Sequence, residues 1–175
     1  MSDVPVLTTE RLVLREHRVG DLDAYVAVWN DQTVVKFTTG RALERHECWT
    51  RILRFRGMWT VLGYGFWIIE EKTSGTVIGE AGVMDAKRDI VPSLEGTLEA
   101  GWALLPSSHG RGLAREAVEA VLSWVDGTCP EIPQSCTINE ANSASIRLAE
   151  RVGFRESGRG LYQNAPLIHY RRTAG

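Results

Sequence analysis

The stretch that most constrains the fold spans residues 104–118 and reads LLPSSHGRGLAREAV. An apolar run ends at Pro106, which cannot donate to a strand ladder, and a turn containing Gly110 and Gly112 follows. Beyond the turn, apolar residues recur with helical spacing at Leu113, Ala117, Val118, Val121, Leu122 and Val125. The predicted order is therefore strand, glycine turn and helix.

This turn has the chemistry of an anion-binding site. The first N–H groups of a helix lack intrahelical partners and lie at the positive end of its dipole. Glycines remove side chains that would hold an anion away, and Arg111 and Arg115 add positive charge. We therefore expect a phosphate or pyrophosphate there, with a simple connecting loop as the alternative. A dinucleotide GxGxxG loop would need glycine where Arg115 stands, and the sequence contains no Walker motif.

Composition narrows the class of protein. A length of 175 residues favours a single domain over residues 1–175 with one core. The net charge of −2 argues against a nucleic-acid partner. No run approaches the roughly 18 apolar residues of a membrane span, and no signal peptide is visible, so no membrane partner is expected. The three cysteines without a CxxC pair predict free thiols and a cytoplasmic location, and the four scattered histidines predict no metal site.

Hydrophobic patterning predicts an α/β (α+β) protein. Strands are expected at about 7–16, 66–70, 77–83, 94–105, 134–138, 154–160 and 165–172, and helices at about 21–29, 42–62, 113–125 and 142–152. The strand–helix–strand unit over 98–138 is parallel, whereas the flanking hairpins are antiparallel, so the sheet should be mixed. Because ligands bind beyond the carboxyl ends of parallel strands, the glycine turn and the helix after Ile138 should share a site.

Two ordered motifs make the chain resemble the GNAT superfamily of acyl-CoA N-acyltransferases. The superfamily's phosphate motif, Gln/Arg-x-x-Gly-x-Gly/Ala, stands at residues 109–114 as HGRGLA, with histidine in the first position. Residues 139–154, NEANSASIRLAERVGF, match the pattern N-x-x-N-x-x-S-x-x-L-x-x-x-x-G-F. TERLVLR at 9–15 and WND at 29–31 resemble the RimJ/RimL-like branch of ribosomal-protein N-terminal acetyltransferases. The ordered set covers essentially the whole chain.

The resemblance implies a fold and a cofactor. The fold is a mixed, mostly antiparallel sheet of about seven strands, flanked by helices and splayed between strands 4 and 5, with acetyl-CoA in the gap. Residues 102–105 would pair with the pantetheine amides, residues 110–115 would hold the pyrophosphate, and Asn142 would contact the pantetheine arm. The candidate cofactor-binding residues are Trp102, Ala103, Leu104, Leu105, His109, Gly110, Arg111, Gly112, Leu113, Ala114, Arg115, Asn142 and Ser145.

N-acetylation needs a base, because an amine at neutral pH is mostly protonated and cannot attack a thioester. Glu99 lies on the strand that leads into the glycine turn, about where the family often has an acidic residue, and is the candidate general base. Glu95 and Glu80 are alternatives. Ser145 matches the serine that this branch has near the sulfur and is the candidate acid, with solvent as the alternative.

Other mechanisms have less support in the sequence. Many GNAT enzymes have a tyrosine four residues after this serine, and Ala149 stands there instead. Tyr162 and Tyr170 are too weakly anchored in the pattern to replace it. No cysteine lies in the glycine turn or beside a plausible histidine base. We therefore expect direct transfer from acetyl-CoA to the amine, without a covalent enzyme intermediate.

The sequence does not identify the amine that accepts the acetyl group. By resemblance its pocket is formed by residues 30–37, the helix carrying Trp49 and Trp59, and the last hairpin at 158–165. We expect a protein or peptide N-terminal α-amine, with a polyamine, aminoglycoside or amino acid as the alternative. A non-catalytic acyl-CoA-binding sensor is the alternative from another class, and a homodimer is left open.

Overall fold

The computed structural model describes residues 4–173. Within that range the strands are Leu7–Thr8 (β1), Leu12–Arg15 (β2), Phe66–Glu71 (β3), Thr76–Met84 (β4), Leu98–Leu104 (β5), Gln134–Asn139 (β6), Arg155–Tyr162 (β7) and Ala165–Arg172 (β8). The helices are Leu22–Asn30 (α1), Gln32–Val35 (α2), Arg45–Leu62 (α3), Leu113–Thr128 (α4) and Ser143–Arg151 (α5). None of the helices described over residues 4–173 has the length and apolar character of a bilayer span.

All the strands of residues 4–173 form one sheet in the order β1-β2-β3-β4-β5-β6-β8-β7. Only the β5–β6 pair is parallel, so the predicted mixed, mostly antiparallel sheet is confirmed. The described part of the chain has eight strands rather than about seven. The reason is that the single strand expected over residues 7–16 is a tight hairpin, in which the Thr9 hydroxyl accepts the Leu12 N–H at 3.0 Å.

Strand alternation divides the interior between the two faces of the sheet, because successive side chains point to opposite sides. Trp67 belongs to the core beneath α4, together with Val121. Its neighbour Ile68 belongs to the core beneath α1 and α3, together with Ile52. Helices therefore cover both faces, as the sequence predicts.

The sheet is split between β5 and β6. These two strands are paired only at their first residues, Leu98 with Gln134 and Glu99 with Ser135. Beyond them β5 continues against β4, while β6 continues against β8. This is the splay expected between strands 4 and 5, and the short β1 raises each strand number by one. A gap lined by two strand edges results.

Candidate active site

The glycine turn leaves an open cradle at the start of α4. Gly110 and Gly112 have φ angles of 71° and 78°, in the left-handed region that favours glycine. A Cβ on Gly110 would meet nothing within 4 Å, and one on Gly112 would meet only the Arg11 guanidinium at 3.5 Å. Gly112 is the N-cap of α4 and provides no side-chain cap, so the first helical N–H groups are available to an anion. The turn fits a pyrophosphate.

Arginines surround this cradle, and each is paired with a carboxylate. Arg111 bonds to Glu71, and Arg115 bonds to a glutamate one helical turn later. Arg11, which the sequence does not place at the turn, lies 2.7 Å from Glu116 and donates to the Arg111 carbonyl oxygen at 2.8 Å. The three arginines are themselves exposed, and ion pairs near the surface contribute little to stability, so an incoming phosphate can compete with the carboxylates for them.

The end of β5 presents backbone groups to the gap. The Leu105 N–H donates to the Ile78 carbonyl oxygen of β4 at 2.8 Å. Because backbone groups of an antiparallel strand alternate in direction, those of Trp102 and Leu104 point away from β4 and into the gap. The Leu104 carbonyl oxygen lies 3.0 Å from His109 Nε2, which explains how a histidine fits the first position of the phosphate motif. The backbone of Ala103 faces β4, and its side chain lines the cavity described below.

The start of α5 faces β5 across the gap. The Asn142 side chain caps this helix by accepting the Ser145 N–H at 3.2 Å. The Ser145 hydroxyl oxygen in turn accepts the Trp102 indole N–H at 3.3 Å, so β5 and α5 are linked. Ala149 is fully buried in the core and has no group that could act as an acid.

Glu99 lies where β5 and β6 begin to separate and is 5% exposed. Its carboxylate accepts hydrogen bonds from Arg88 and from the Thr137 hydroxyl, the latter at 2.9 Å. Arg88 comes from the loop after β4 and also stacks over the Tyr162 ring at 4.9 Å. Burial raises the pKa of Glu99, although Arg88 and Thr137 act in the opposite direction. A carboxylate with a raised pKa is a stronger base.

The two alternative carboxylates have different surroundings. Glu80 is fully buried, with Arg51 at 2.8 Å, the Tyr25 hydroxyl at 2.5 Å and His17 at 3.3 Å. Burial acts to raise the pKa of Glu80, but the charge of Arg51 and the bonds from His17 and Tyr25 hold it below its usual value. Glu95 is exposed and lines a neighbouring cavity, which shares Arg88 and Glu99 with the gap. Glu80 is therefore suited to anchoring helices, and Glu95 lies outside the gap.

A cavity of about 480 Å³ joins these groups. Its walls include Trp29, Lys36, Phe37, Glu99, Ser145 and Tyr162. The segment after α1 and the last hairpin therefore line it, whereas α3 contributes Arg51. The helix α3 is thus among the pocket walls, as expected, but through Arg51 rather than through Trp49 or Trp59. Trp59 is 3% exposed and packs edge-on against Trp67 in the core on the other face of the sheet.

A further wall residue, Cys136, has a thiol that the sequence did not associate with the site. Burial raises the pKa of this thiol well above its ordinary value, so it remains protonated. Because the thiolate is the nucleophilic form, Cys136 is a poor acyl acceptor. The cavity therefore combines a basic carboxylate with a hydroxyl donor and an inert thiol.

A sheet split beside an anion cradle is the arrangement that the resemblance to the acyl-CoA N-acyltransferases predicts. The family model of the acetyltransferase (GNAT) domain matches residues 11–155, and the chain belongs to this family, whose acetyl donor is acetyl-CoA. The protein is thus an acetyltransferase.

Individual relatives add detail. The uncharacterized protein YkkB of Bacillus subtilis (strain 168) is 29% identical to this chain over 64% of the chain and 64% of YkkB. The match therefore spans less than two thirds of that relative's length. The solved structure of a GnaT-family acetyltransferase from Bordetella pertussis is 31% identical, with a TM-score of 0.87 over 97% of this chain and 100% of that chain. An acetyl transferase from Salmonella typhimurium that modifies the N-terminal serine of 50S ribosomal subunit protein L7/L12 has a TM-score of 0.79, covering 98% and 100%, and at 15% identity it shares the fold alone.

Proposed function

We propose that this acetyltransferase acts on the N-terminal α-amine of a protein or peptide, as a RimJ/RimL-like enzyme, by direct attack. The observation that carries the proposal is the buried Glu99 carboxylate, which lies in the same cavity as Trp102, Asn142 and Ser145. Acetyl-CoA, when bound, supplies the acetyl group as a thioester. Residues 110–115 and the free edge of β5 would hold it.

The roles of the side chains follow from their hydrogen bonds. Glu99 accepts a proton from the substrate ammonium, and Arg88 and Thr137 hold its carboxylate in place. The Ser145 oxygen accepts the Trp102 N–H, so the serine proton is free to be donated to a leaving group. Since the Cys136 thiol remains protonated, the amine itself is the nucleophile.

The shape of the cavity supports a large acceptor. Exposed residues line it on two sides, Lys36 and Thr38 near α2 and Gln163 in the β7–β8 turn. A peptide can therefore place its N-terminus inside while the rest of the chain extends into solvent. The Salmonella enzyme with the same fold modifies a protein N-terminus.

The test measures CoA release with peptides of varied N-terminal residue, beside spermidine, an aminoglycoside and free amino acids. We expect turnover with peptides, and Glu99→Gln should lower it by about 10²- to 10⁴-fold, the usual contribution of a general base. The rise of rate with pH, which the raised pKa of Glu99 moves to higher pH, should also flatten in this variant.

Glu95→Gln is the matched control, because Glu95 is exposed and lies outside the cavity. Turnover confined to small amines would overturn the peptide assignment. Acetyl-CoA binding without turnover on any amine would favour an acyl-CoA sensor instead.

A further inference from the structure

The part of the cavity beneath α1, α2 and α3 is rich in hydrogen-bond donors. We call it the acceptor region and define it by Trp29, Lys36, Thr38 and Arg51. It lies on the sheet face that also carries Glu80, and it is continuous with the region around Glu99. Whichever amine accepts the acetyl group, the rest of that substrate must be compatible with these side chains.

Trp29 provides a donor to the acceptor region. This residue is 3% exposed, and within residues 4–173 its buried indole N–H has no hydrogen-bond partner. Leaving a buried donor unpaired is unfavourable, and buried polar groups in native proteins rarely lack a partner without a reason. An oxygen atom of a substrate bound in the cavity could accept this hydrogen bond.

The cations of the acceptor region have unused capacity. Arg51 donates from Nε to the Tyr25 hydroxyl at 3.1 Å and from Nη2 to Glu80 at 2.8 Å, while its Nη1 bonds to nothing within the described residues. Lys36 is exposed, has no carboxylate partner in residues 4–173, and lies 4.9 Å from the centre of the Phe37 ring. Both side chains can therefore bind a further anion.

The carboxylates of the cavity are already neutralised. Its charged wall residues are Lys36, Arg51 and Arg88 against Glu80 and Glu99, an excess of one positive charge. Glu80 is paired with Arg51 and Glu99 with Arg88. A polyamine or aminoglycoside would bring several positive charges to a wall without a spare carboxylate, so this balance disfavours polycations.

We propose that the acceptor is a primary amine that carries a carboxylate a few bonds away, either an α-amino acid or a peptide whose first residues are acidic. Lys36, Arg51 and the Trp29 indole N–H bind the carboxylate, and the amine faces Glu99. This inference rests on the proposed function, because it assumes that the cavity binds the amine that is acetylated. Charge-assisted bonds to a guanidinium and an ammonium make the carboxylate the strongest point of recognition.

The test uses pairs of ligands that differ only in the carboxylate. One pair is a tetrapeptide amide beginning with aspartate and its counterpart beginning with asparagine, and the other is alanine and alaninamide. Calorimetric titration into the CoA-bound enzyme measures affinity, and CoA release measures turnover. We expect the carboxylate-bearing member of at least one pair to bind about tenfold more tightly, and the pair concerned identifies the source. The preference should shrink as salt is raised.

Two variants assign the effect to residues. Lys36→Met, at an exposed position, should reduce the tenfold preference to about threefold or less, and Trp29→Phe should reduce it while retaining an aromatic ring. Lys87→Met is the matched control, because Lys87 is exposed, pairs with Asp85 and lines the other cavity, so the preference should not change.

The outcomes separate this inference from the proposed function. Equal affinity within both pairs, or an unchanged preference in Lys36→Met, overturns the carboxylate assignment even if peptides are acetylated. If only free amino acids are acetylated and alanine is preferred over alaninamide, the carboxylate assignment stands and the peptide assignment fails.

Discussion

Replacing Glu80 and Glu99 by glutamine should change stability in opposite directions, although both carboxylates are buried in the wall of one cavity. Arg51, His17 and Tyr25 hold the folded-state pKa of Glu80 below its unfolded value. Ionised Glu80 therefore stabilises the fold above its unfolded pKa of about 4.3, and this contribution is lost as pH falls through the folded pKa. Burial raises the folded-state pKa of Glu99, so its contribution is present below the unfolded pKa and is lost as pH rises through the folded one.

The size of the effect follows from the contacts. Glu80→Gln preserves the size of the side chain but leaves Arg51 without the counter-charge that lies 2.8 Å away. Removing one partner of a buried ion pair costs about 3–5 kcal/mol. Since each kcal/mol lowers Tm by about 2–4 °C in a chain of this length, Tm at pH 7 should fall by about 6–20 °C. Glu99→Gln also removes the partner of Arg88, but burial outweighs this pairing and raises the pKa of Glu99. A neutral group is therefore favoured there, and Tm at pH 7 should equal or exceed that of the wild type.

Scanning calorimetry between pH 4 and pH 8 checks both statements. Glu95→Gln, at an exposed position, should melt like the wild type across the range. The loss in Glu80→Gln should stay nearly constant over most of this range and begin to shrink only towards pH 4, because the lowered folded-state pKa keeps the wild-type carboxylate ionised above its unfolded pKa. Similar losses of Tm in Glu80→Gln and Glu99→Gln would refute the assignment of one carboxylate to structure and the other to proton transfer.

Two further predictions concern acetyl-CoA and the thiolate. Gly112→Glu should abolish acetyl-CoA binding in calorimetry, because it places a negative charge in the cradle. Gly112→Ala should weaken binding less, because it strains a backbone with φ of 78° but adds no charge. Undiminished binding in Gly112→Glu would place the phosphates elsewhere. Ser145→Ala should lower turnover less than Glu99→Gln in the CoA-release assay, since water can protonate a thiolate, and the reverse order would make the serine the dominant group.

Local signals explain why the scaffold could be predicted from the sequence. The glycine turn, the amphipathic α4 and the Asn142 cap of α5 each depend on residues within a few positions of one another. Two elements were missed for the same kind of reason. The helix α2 has only four residues, capped by Asp31, and is too short for periodicity to detect. The β1–β2 hairpin turns at Thr9 through a side-chain bond rather than a glycine.

The partners of the candidate site could not be predicted, because they are brought together from distant parts of the chain. No sequence pattern marks Arg88 within its loop, yet its side chain bonds to both Glu99 and Thr137. The arginines of α3 look alike in sequence, but only Arg51 lines the cavity, bonded to a glutamate of β4. Periodicity places Trp59 on a buried helix face without indicating which core it enters.

The split of the sheet connects the scaffold to the chemistry. Where β5 separates from β6, the backbone groups of Trp102 and Leu104 lose the strand neighbours that a continuous sheet would provide, although the Leu104 carbonyl oxygen lies 3.0 Å from His109 Nε2. A ligand with amide groups of its own can satisfy such an edge, as another strand would. The same strand ends at the glycine turn, so an amide-bearing arm on the edge leads directly to an anion on α4. At the other end of the gap lies Glu99, in the last residue pair before β5 and β6 part. In the proposed binding mode, one break in strand pairing would therefore set the order of phosphate, arm and reacting amine along the cleft.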